Sequence, residues 1–175
     1  NYSRTGGPFE MVQLWVNLPA KYKQTPPKYQ AITADKMTKV LLPDNGGLVN
    51  VIAGDYNGHR GPASTFTDIN VLDLRLNRGG NFEGQIPASH HTLLLVVEGS
   101  VVVNGREAGE HGMVLFGPEG EEIAVRASED SVVLLLSGEP INEPIAHYGP
   151  FVMNTTAELE TAMQEYRTGK FGSLR

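Results

Sequence analysis

The hydrophobic pattern of this chain alternates over short stretches for most of its length and changes to a helical period only near the end. From Ala31 onward, short apolar runs are separated by turns rich in glycine, proline and asparagine. Such runs predict strands, because successive side chains of a strand point to opposite faces. The predicted strands cover residues 48–53, 70–76, 92–98, 100–103, 113–116, 123–126 and 131–137.

The alternation is cleanest in residues 70–76. There Leu72, Leu74 and Leu76 are predicted to face a core, and the odd-numbered residues between them to face outward. Asn104-Gly105 is typical of a tight hairpin turn. Many short strands without a long helical pattern among them predict an all-β fold, either a sandwich or a small barrel.

The last part of the chain has the period of an amphipathic helix. Asn154 or Thr155 can cap it, and Glu158 stands where a capping box needs a glutamate. Gly169 provides a stop. The apolar stripe of this helix is predicted to consist of Leu159, Ala162, Met163 and Tyr166.

The first part of the chain contains one further apolar run, from Phe9 to Leu18. Both of its alternating faces are apolar, which predicts a strand that is covered on two sides. Pro19 ends it, and residues 20–29 form a polar connector. Alone, this strand is expected to pair with a second copy of the chain or to fold onto its own barrel, because an apolar edge favours association.

Composition excludes several classes of function. The 175 residues carry 14 Lys plus Arg against 20 Asp plus Glu, a net charge of −6, which disfavours direct nucleic-acid binding. No cysteine is present, so disulfides, thiolate metal sites and a cysteine nucleophile are excluded. No apolar run is long enough to span a membrane, and a cytoplasmic location is expected.

The histidines have mainly structural interpretations. His90 and His91 are adjacent, and neighbouring residues of a strand cannot converge on one ion. His59 and His111 lie in glycine-rich turns, and His147 lies in a run rich in proline and glycine, where it is expected to help to hold the terminal helix. An acid/base role for His147 with Tyr148 remains the less favoured alternative.

One acidic cluster is also open to two interpretations. Glu119, Glu121 and Glu122 are close in sequence and are of the type that binds calcium or magnesium. A solvated acidic turn is the preferred interpretation.

Two stretches match the spacing of the cupin signature but lack its ligands. The first half, G-x5-H-x-H-x3,4-E-x6-G, falls on Gly79, Gln85, Pro87, Thr92 and Gly99. The second half, G-x5-P-x-G-x2-H, falls on Gly112, Pro118, Gly120 and Ile123. The turn residues are present, whereas every metal-ligand position holds a poor donor or none. The chain resembles a cupin-type β-barrel or jelly roll without its metal, and we predict no catalytic, cofactor-binding or metal residue in it.

Three segments resemble the pirin family more specifically: QLWVNLPAK at 13–21, TPPKYQ at 25–30 and EPIAHYGPFVMNT at 143–155. The resemblance implies a bicupin whose first barrel binds iron or another divalent metal and whose second barrel binds none. Residues 1–30 would then hold the exit strand of the first barrel and a linker. Residues 31–153 would form the second barrel, and residues 154–175 the helix and tail.

The resemblance implies two alternative functions. In the first, this cupin braces an N-terminal metallo-cupin similar to quercetin 2,3-dioxygenases, which makes that cupin its partner and leaves this half without activity of its own. In the second, it is a non-enzymatic interaction or regulatory module that binds a protein, as a transcription coregulator does, or a small ligand. A cavity of a few hundred Å³ would favour a small ligand. A third, weaker alternative is a metal site at an unforeseen position.

Overall fold

A computed structural model describes residues 2–172 of the chain. Within it the chain divides into two compact units. The larger unit is Thr25–Asn142, and the smaller combines Asn1–Gln24 with Glu143–Arg175.

The larger unit is built from antiparallel strands. They are β1 (Thr38–Leu41), β2 (Gly47–Ala53), β3 (Asp55–Tyr56), β4 (His59–Arg60), β5 (Ile69–Leu76), β6 (Asn81–Gln85), β7 (His91–Glu98), β8 (Val101–Val103), β9 (Arg106–Ala108), β10 (Met113–Leu115), β11 (Glu122–Ala127) and β12 (Ser131–Gly138). A six-stranded sheet has the order β1-β2-β5-β12-β7-β10, and a four-stranded sheet has the order β6-β11-β8-β9. The short strands β3 and β4 pair as a hairpin. This confirms the predicted all-β, cupin-type fold.

The core of the larger unit lies on the inner faces of the two sheets. Val49, Leu74 and Leu135 come from the six-stranded sheet, and Phe82 and Val125 come from the four-stranded sheet; all are at most 1% exposed. In β11 and β12 every second residue is buried, as alternation along a strand requires.

Tyr56 completes this core at one end. Its ring stacks on Phe82 with 5.1 Å between the ring centroids, and its hydroxyl donates to the Glu83 carbonyl over 3.2 Å. Burial, supported by the negative charge of Glu83, raises the pKa of the Tyr56 phenol.

The seven strands predicted from the sequence are all present, with ends that shift by one or two residues. Prediction missed β1, β6 and β9 as well as the β3–β4 hairpin. The strand β6 was missed because Asn81, Glu83 and Gln85 alternate with only one large apolar residue, Phe82. The Asn104-Gly105 turn is confirmed: both residues have positive φ, 44° and 80°, and the turn joins β8 to β9.

The outward face of β5 differs from the prediction. Leu72, Leu74 and Leu76 are buried as expected, but Asp73 is also buried, with 8% exposure. Its Oδ2 accepts a hydrogen bond from Asn50 Nδ2 over 2.9 Å, and its Oδ1 lies 2.9 Å from Arg75 Nε. A buried carboxylate requires such partners, and they lie on the same outward face.

The smaller unit contains α1 (Tyr2–Thr5), a hairpin of β13 (Ala146–Tyr148) and β14 (Phe151–Met153), and α2 (Thr156–Arg167). The predicted terminal helix and its cap are confirmed. Glu158 N donates to Thr155 Oγ1, and Glu158 Oε2 accepts from Thr155 N over 2.8 Å. The hydrogen bond with the Thr155 hydroxyl, followed by those with the backbone amides, lowers the pKa of Glu158. Gly169 adopts φ of 77° directly after the helix.

The apolar stripe of α2 is buried only in part. Leu159 and Ala162 are buried and Met163 is half-buried, whereas Tyr166 is 65% exposed. Tyr166 instead forms an edge-on contact with Phe151 of β14, with 5.9 Å between the ring centroids.

The predicted strand from Phe9 to Leu18 does not form within this chain. Residues 6–19 have no regular secondary structure, and Phe9, Met11, Trp15 and Val16 are each more than half exposed. A strand requires backbone partners, and none of the described β-ladders supplies them to this segment. Its end is held instead by Lys23, whose Nζ donates to Asn17 Oδ1 over 2.8 Å and to the Val152 carbonyl over 3.3 Å.

Among the helices of residues 2–172, none combines the length and the apolar character that crossing a bilayer would require.

Candidate functional site

Three glycines of the cupin signature lie in tight turns, as the sequence predicted. Gly79 and Gly99 have φ of 79°, and Gly120 has φ of 84°, a conformation that side chains rarely adopt. A Cβ on Gly99 would also lie 2.5 Å from the Asp130 carbonyl oxygen. The barrel frame of the signature is therefore intact.

The four ligand positions fall on different elements around one end of the barrel. Gln85 ends β6 and is exposed, and Pro87 follows it and is also exposed. Thr92 lies in β7 and Ile123 in β11, and both side chains are buried, with 8% and 4% exposure.

The donor set at these positions does not fit a transition metal. Pro87 and Ile123 have no side-chain donor, and Thr92 and Gln85 offer neutral oxygens, which are poor ligands for iron, copper or zinc. Pro87, Thr92 and Ile123 line a cavity of only about 60 Å³, together with the half-buried Phe116. Residues 2–172 contain no other group of three or more His, Asp or Glu that could hold a metal ion.

The remaining histidines are scattered. His91 is exposed in β7, His59 in β4 and His147 in β13, and His111 occupies a turn with φ of 61°. His90 is half-buried and borders both the small cavity and a larger one. The acidic residues Glu119, Glu121 and Glu122 are exposed at the rim of the small cavity.

The larger cavity has a volume of about 640 Å³ and belongs entirely to the larger unit. Its wall comes mainly from residues 54–70, between β2 and the start of β5, and is closed by Gln85, Pro87 and His90. Sequence reasoning missed this cavity because the lining segment 61–68 has neither a periodic pattern nor a recognised motif.

A hydrogen-bonded chain fixes the inner side of this cavity. Asn70 Oδ1 accepts from the Asp55 amide over 3.1 Å, and Asn70 Nδ2 donates to Ser137 Oγ over 2.9 Å. Ser137 Oγ in turn lies 3.2 Å from His90 Nδ1. Gly54 permits the arrangement, because a Cβ there would lie 2.0 Å from Asn70 Oδ1.

A second surface of interest is the outward face of the six-stranded sheet. In β7 and β12, residues that alternate with the core are apolar too: Leu93 pairs with Leu136, and Leu95 with Leu134. On the neighbouring edge strand, Met113 and Leu115 pair with Leu95 and Leu93 and are 61% and 69% exposed. The run Leu93-Leu94-Leu95-Val96-Val97 could have predicted this surface from the sequence. A strand with apolar residues on both faces is usually buried on both faces.

Two of the three segments that carried the family resemblance meet in the smaller unit. Glu143 Oε2 accepts from the Ala20 amide over 2.7 Å and from Asn154 Nδ2 over 2.9 Å. These bonds join residues 13–21 to residues 143–155, whereas residues 25–30 belong to the larger unit.

Comparison with known proteins agrees with this structure. Residues 71–172 match the family model described as the pirin C-terminal cupin domain. A Pseudomonas aeruginosa protein whose name assigns it to the quercetin 2,3-dioxygenases is 38% identical over 97% of this chain and 59% of its own length. Pirin-1 of Arabidopsis thaliana is 36% identical over 92% of this chain and 58% of its own.

Solved structures give the same result. The crystal structure of an Acinetobacter baumannii quercetin 2,3-dioxygenase superposes with a TM-score of 0.87 at 44% identity and covers 92% of this chain and 56% of that one. The chain thus spans little more than half the length of these relatives. It belongs to the pirin family and corresponds to that family's C-terminal cupin domain.

Proposed function

We propose that this cupin binds no metal and that it completes and braces a metal-binding cupin of the same protein. The single observation that carries the proposal is the apolar patch that β7, β12 and β10 form on the outward face of the six-stranded sheet, where a free sheet face would be polar. Antiparallel sheets that face water alternate apolar and polar residues.

The ligand positions of this barrel support the first part of the proposal. Neutral or absent donors at Gln85, Pro87, Thr92 and Ile123 leave no set of imidazoles and carboxylate that could coordinate iron. Oxygen chemistry by a protein of this kind would then take place in its other cupin, and this half would contribute surface and stability.

The lengths of the relatives support the second part. Each of the compared proteins has about two fifths of its length outside the region matched here. That is enough chain for another cupin domain, and the apolar sheet face is a surface on which it can dock. Exposed apolar patches of this kind mark protein–protein contacts.

The test places a charge on this face in a protein that carries the present sequence together with a metal-binding cupin. Leu115→Glu and Leu115→Lys change a side chain that is 69% exposed here, so the barrel itself should still fold. Ala124→Glu, on the exposed side of β11, is the matched control.

We expect both leucine variants to lower the thermal midpoint of the metal-binding cupin and its turnover of quercetin, whereas the alanine variant leaves both unchanged. Docking through this face would be refuted if the leucine variants and the control behaved alike.

A further inference from the structure

The bracing role does not explain the 640 Å³ cavity. Its volume is within the range that holds one small organic molecule. It is lined on one side by the hydrogen-bonded chain of Asn70, Ser137 and His90, which fixes those groups before any ligand arrives. Preorganised polar groups in a concave wall are typical of a binding site rather than of an accidental crevice.

The hydrogen-bonding groups of the wall include both donors and acceptors. Ser137 Oγ accepts from Asn70 and lies 3.2 Å from His90 Nδ1, and the tautomer of His90 decides whether its Nε2 donates or accepts. Arg60 contributes a guanidinium that makes no ion pair among the described residues. The amide of Gln85 can donate and accept.

The charges of the wall disfavour a charged ligand. Asp55 and Asp68 bring two carboxylates and Arg60 one guanidinium, so the lining has a formal charge of −1 in a chain of net charge −6. This balance repels anions, and Arg60 offsets half of the attraction that the two carboxylates would exert on a cation. A neutral hydroxyl suits the wall better, because it donates to a carboxylate and accepts from a guanidinium or an imidazole N–H.

The apolar side chains of the cavity wall can pack against the flat face of a ligand ring. Phe66, Ile69 and Pro87 line the cavity, and Phe66 is 47% exposed. Aromatic and aliphatic side chains beside convergent polar groups fit a flat molecule with polar edges.

We propose that this cavity binds a neutral, polyhydroxylated ring compound, which Arg60, Gln85 and His90 hold by hydrogen bonds to its hydroxyls. A sugar and a polyphenol share this chemistry, and the experiment distinguishes them.

The test is a titration of the isotopically labelled chain, followed by amide NMR spectra, with maltose, catechin and gluconate at about 1 mM and above. We expect maltose or catechin to shift amides in residues 54–70 and around His90. Shifts from maltose alone would identify a sugar site, and shifts from catechin alone a polyphenol site.

Single substitutions then show which side chains of the cavity wall bind the ligand. Arg60→Ala and Gln85→Ala change exposed side chains and should raise the Kd about tenfold and severalfold, respectively, as expected for lost charged and neutral hydrogen bonds. His90→Ala should act like Gln85→Ala. The controls Arg126→Ala and His91→Ala change exposed residues outside the cavity and should alter the Kd by no more than about twofold.

Three results would overturn the inference: no shift with either neutral compound, shifts confined to other parts of the chain, or tighter binding of gluconate than of maltose and catechin. None of these results bears on docking through the outward sheet face, so the two proposals fail separately.

Discussion

Replacing Phe82 with alanine tests whether the two sheets are held together as the structure indicates. Phe82 is 0% exposed, stacks on Tyr56 and packs against Gly84, where an added Cβ would lie 2.8 Å from the Phe82 ring. Removing a buried phenylalanine costs about 3–5 kcal/mol through lost burial and the cavity left behind.

Urea unfolding followed by far-UV circular dichroism measures this cost. With an m-value of about 1–3 kcal/mol per molar, the loss lowers the midpoint by about 1 M or more. Phe82→Leu, which keeps much of the buried volume, should lie between wild type and Phe82→Ala.

The matched control is Phe171→Ala. That side chain is 59% exposed, so the same chemical change should cost much less. Equal losses for Phe82→Ala and Phe171→Ala would refute the assignment of Phe82 to the core.

Three further predictions concern single features. Thr155→Ala should destabilise α2 by about 1 kcal/mol, measured by hydrogen exchange. Because folding lowers the pKa of Glu158, its carboxylate stabilises the folded chain fully above the ordinary glutamate pKa, and this stabilisation is lost as the pH falls through the folded pKa. Glu158→Gln should abolish this pH dependence of stability. Gly105→Ala should cost about 1–2 kcal/mol in thermal unfolding, because Gly105 has φ of 80°, whereas Gly109→Ala, in open space, should cost less. Self-association through the segment from Phe9 to Leu18, measured by sedimentation, should fall in a Trp15→Ser/Val16→Ser variant; an unchanged association constant would refute it.

Much of the fold could be predicted because its strands carry strong local signals. The alternation of Leu72, Leu74 and Leu76 predicts a strand and Asn104-Gly105 predicts a tight turn, and the structure contains both. Gly79, Gly99 and Gly120 of the cupin signature likewise predicted tight turns, because a φ near 80° is unfavourable for most other residues.

Prediction failed where structure depends on a partner distant in sequence. The segment from Phe9 to Leu18 has the pattern of a strand but lacks a ladder within the described chain. The local pattern predicts that Asp73 faces solvent. It is buried because Asn50, twenty-three positions earlier in sequence, lies beside it and donates a hydrogen bond to its carboxylate. In both cases the local pattern is correct and the pairing decides the outcome.

The candidate sites also differ in whether the sequence could predict them. The sequence alone shows which residues stand at the ligand positions of the cupin signature, and Pro87 and Ile123 have no side-chain donor in any fold. The 640 Å³ cavity was not visible, because residues 54–70 come together with His90 only through the pairing of β5, β12 and β7.

The central claim is that this cupin has barrel architecture without a metal centre. The most direct measurement incubates the purified chain with excess Fe(II), removes unbound metal, and determines bound iron by elemental analysis while quercetin consumption is followed in air. We predict bound iron far below one equivalent and no quercetin turnover above the rate of free Fe(II). Stoichiometric iron together with turnover that rises with iron occupancy would contradict the account.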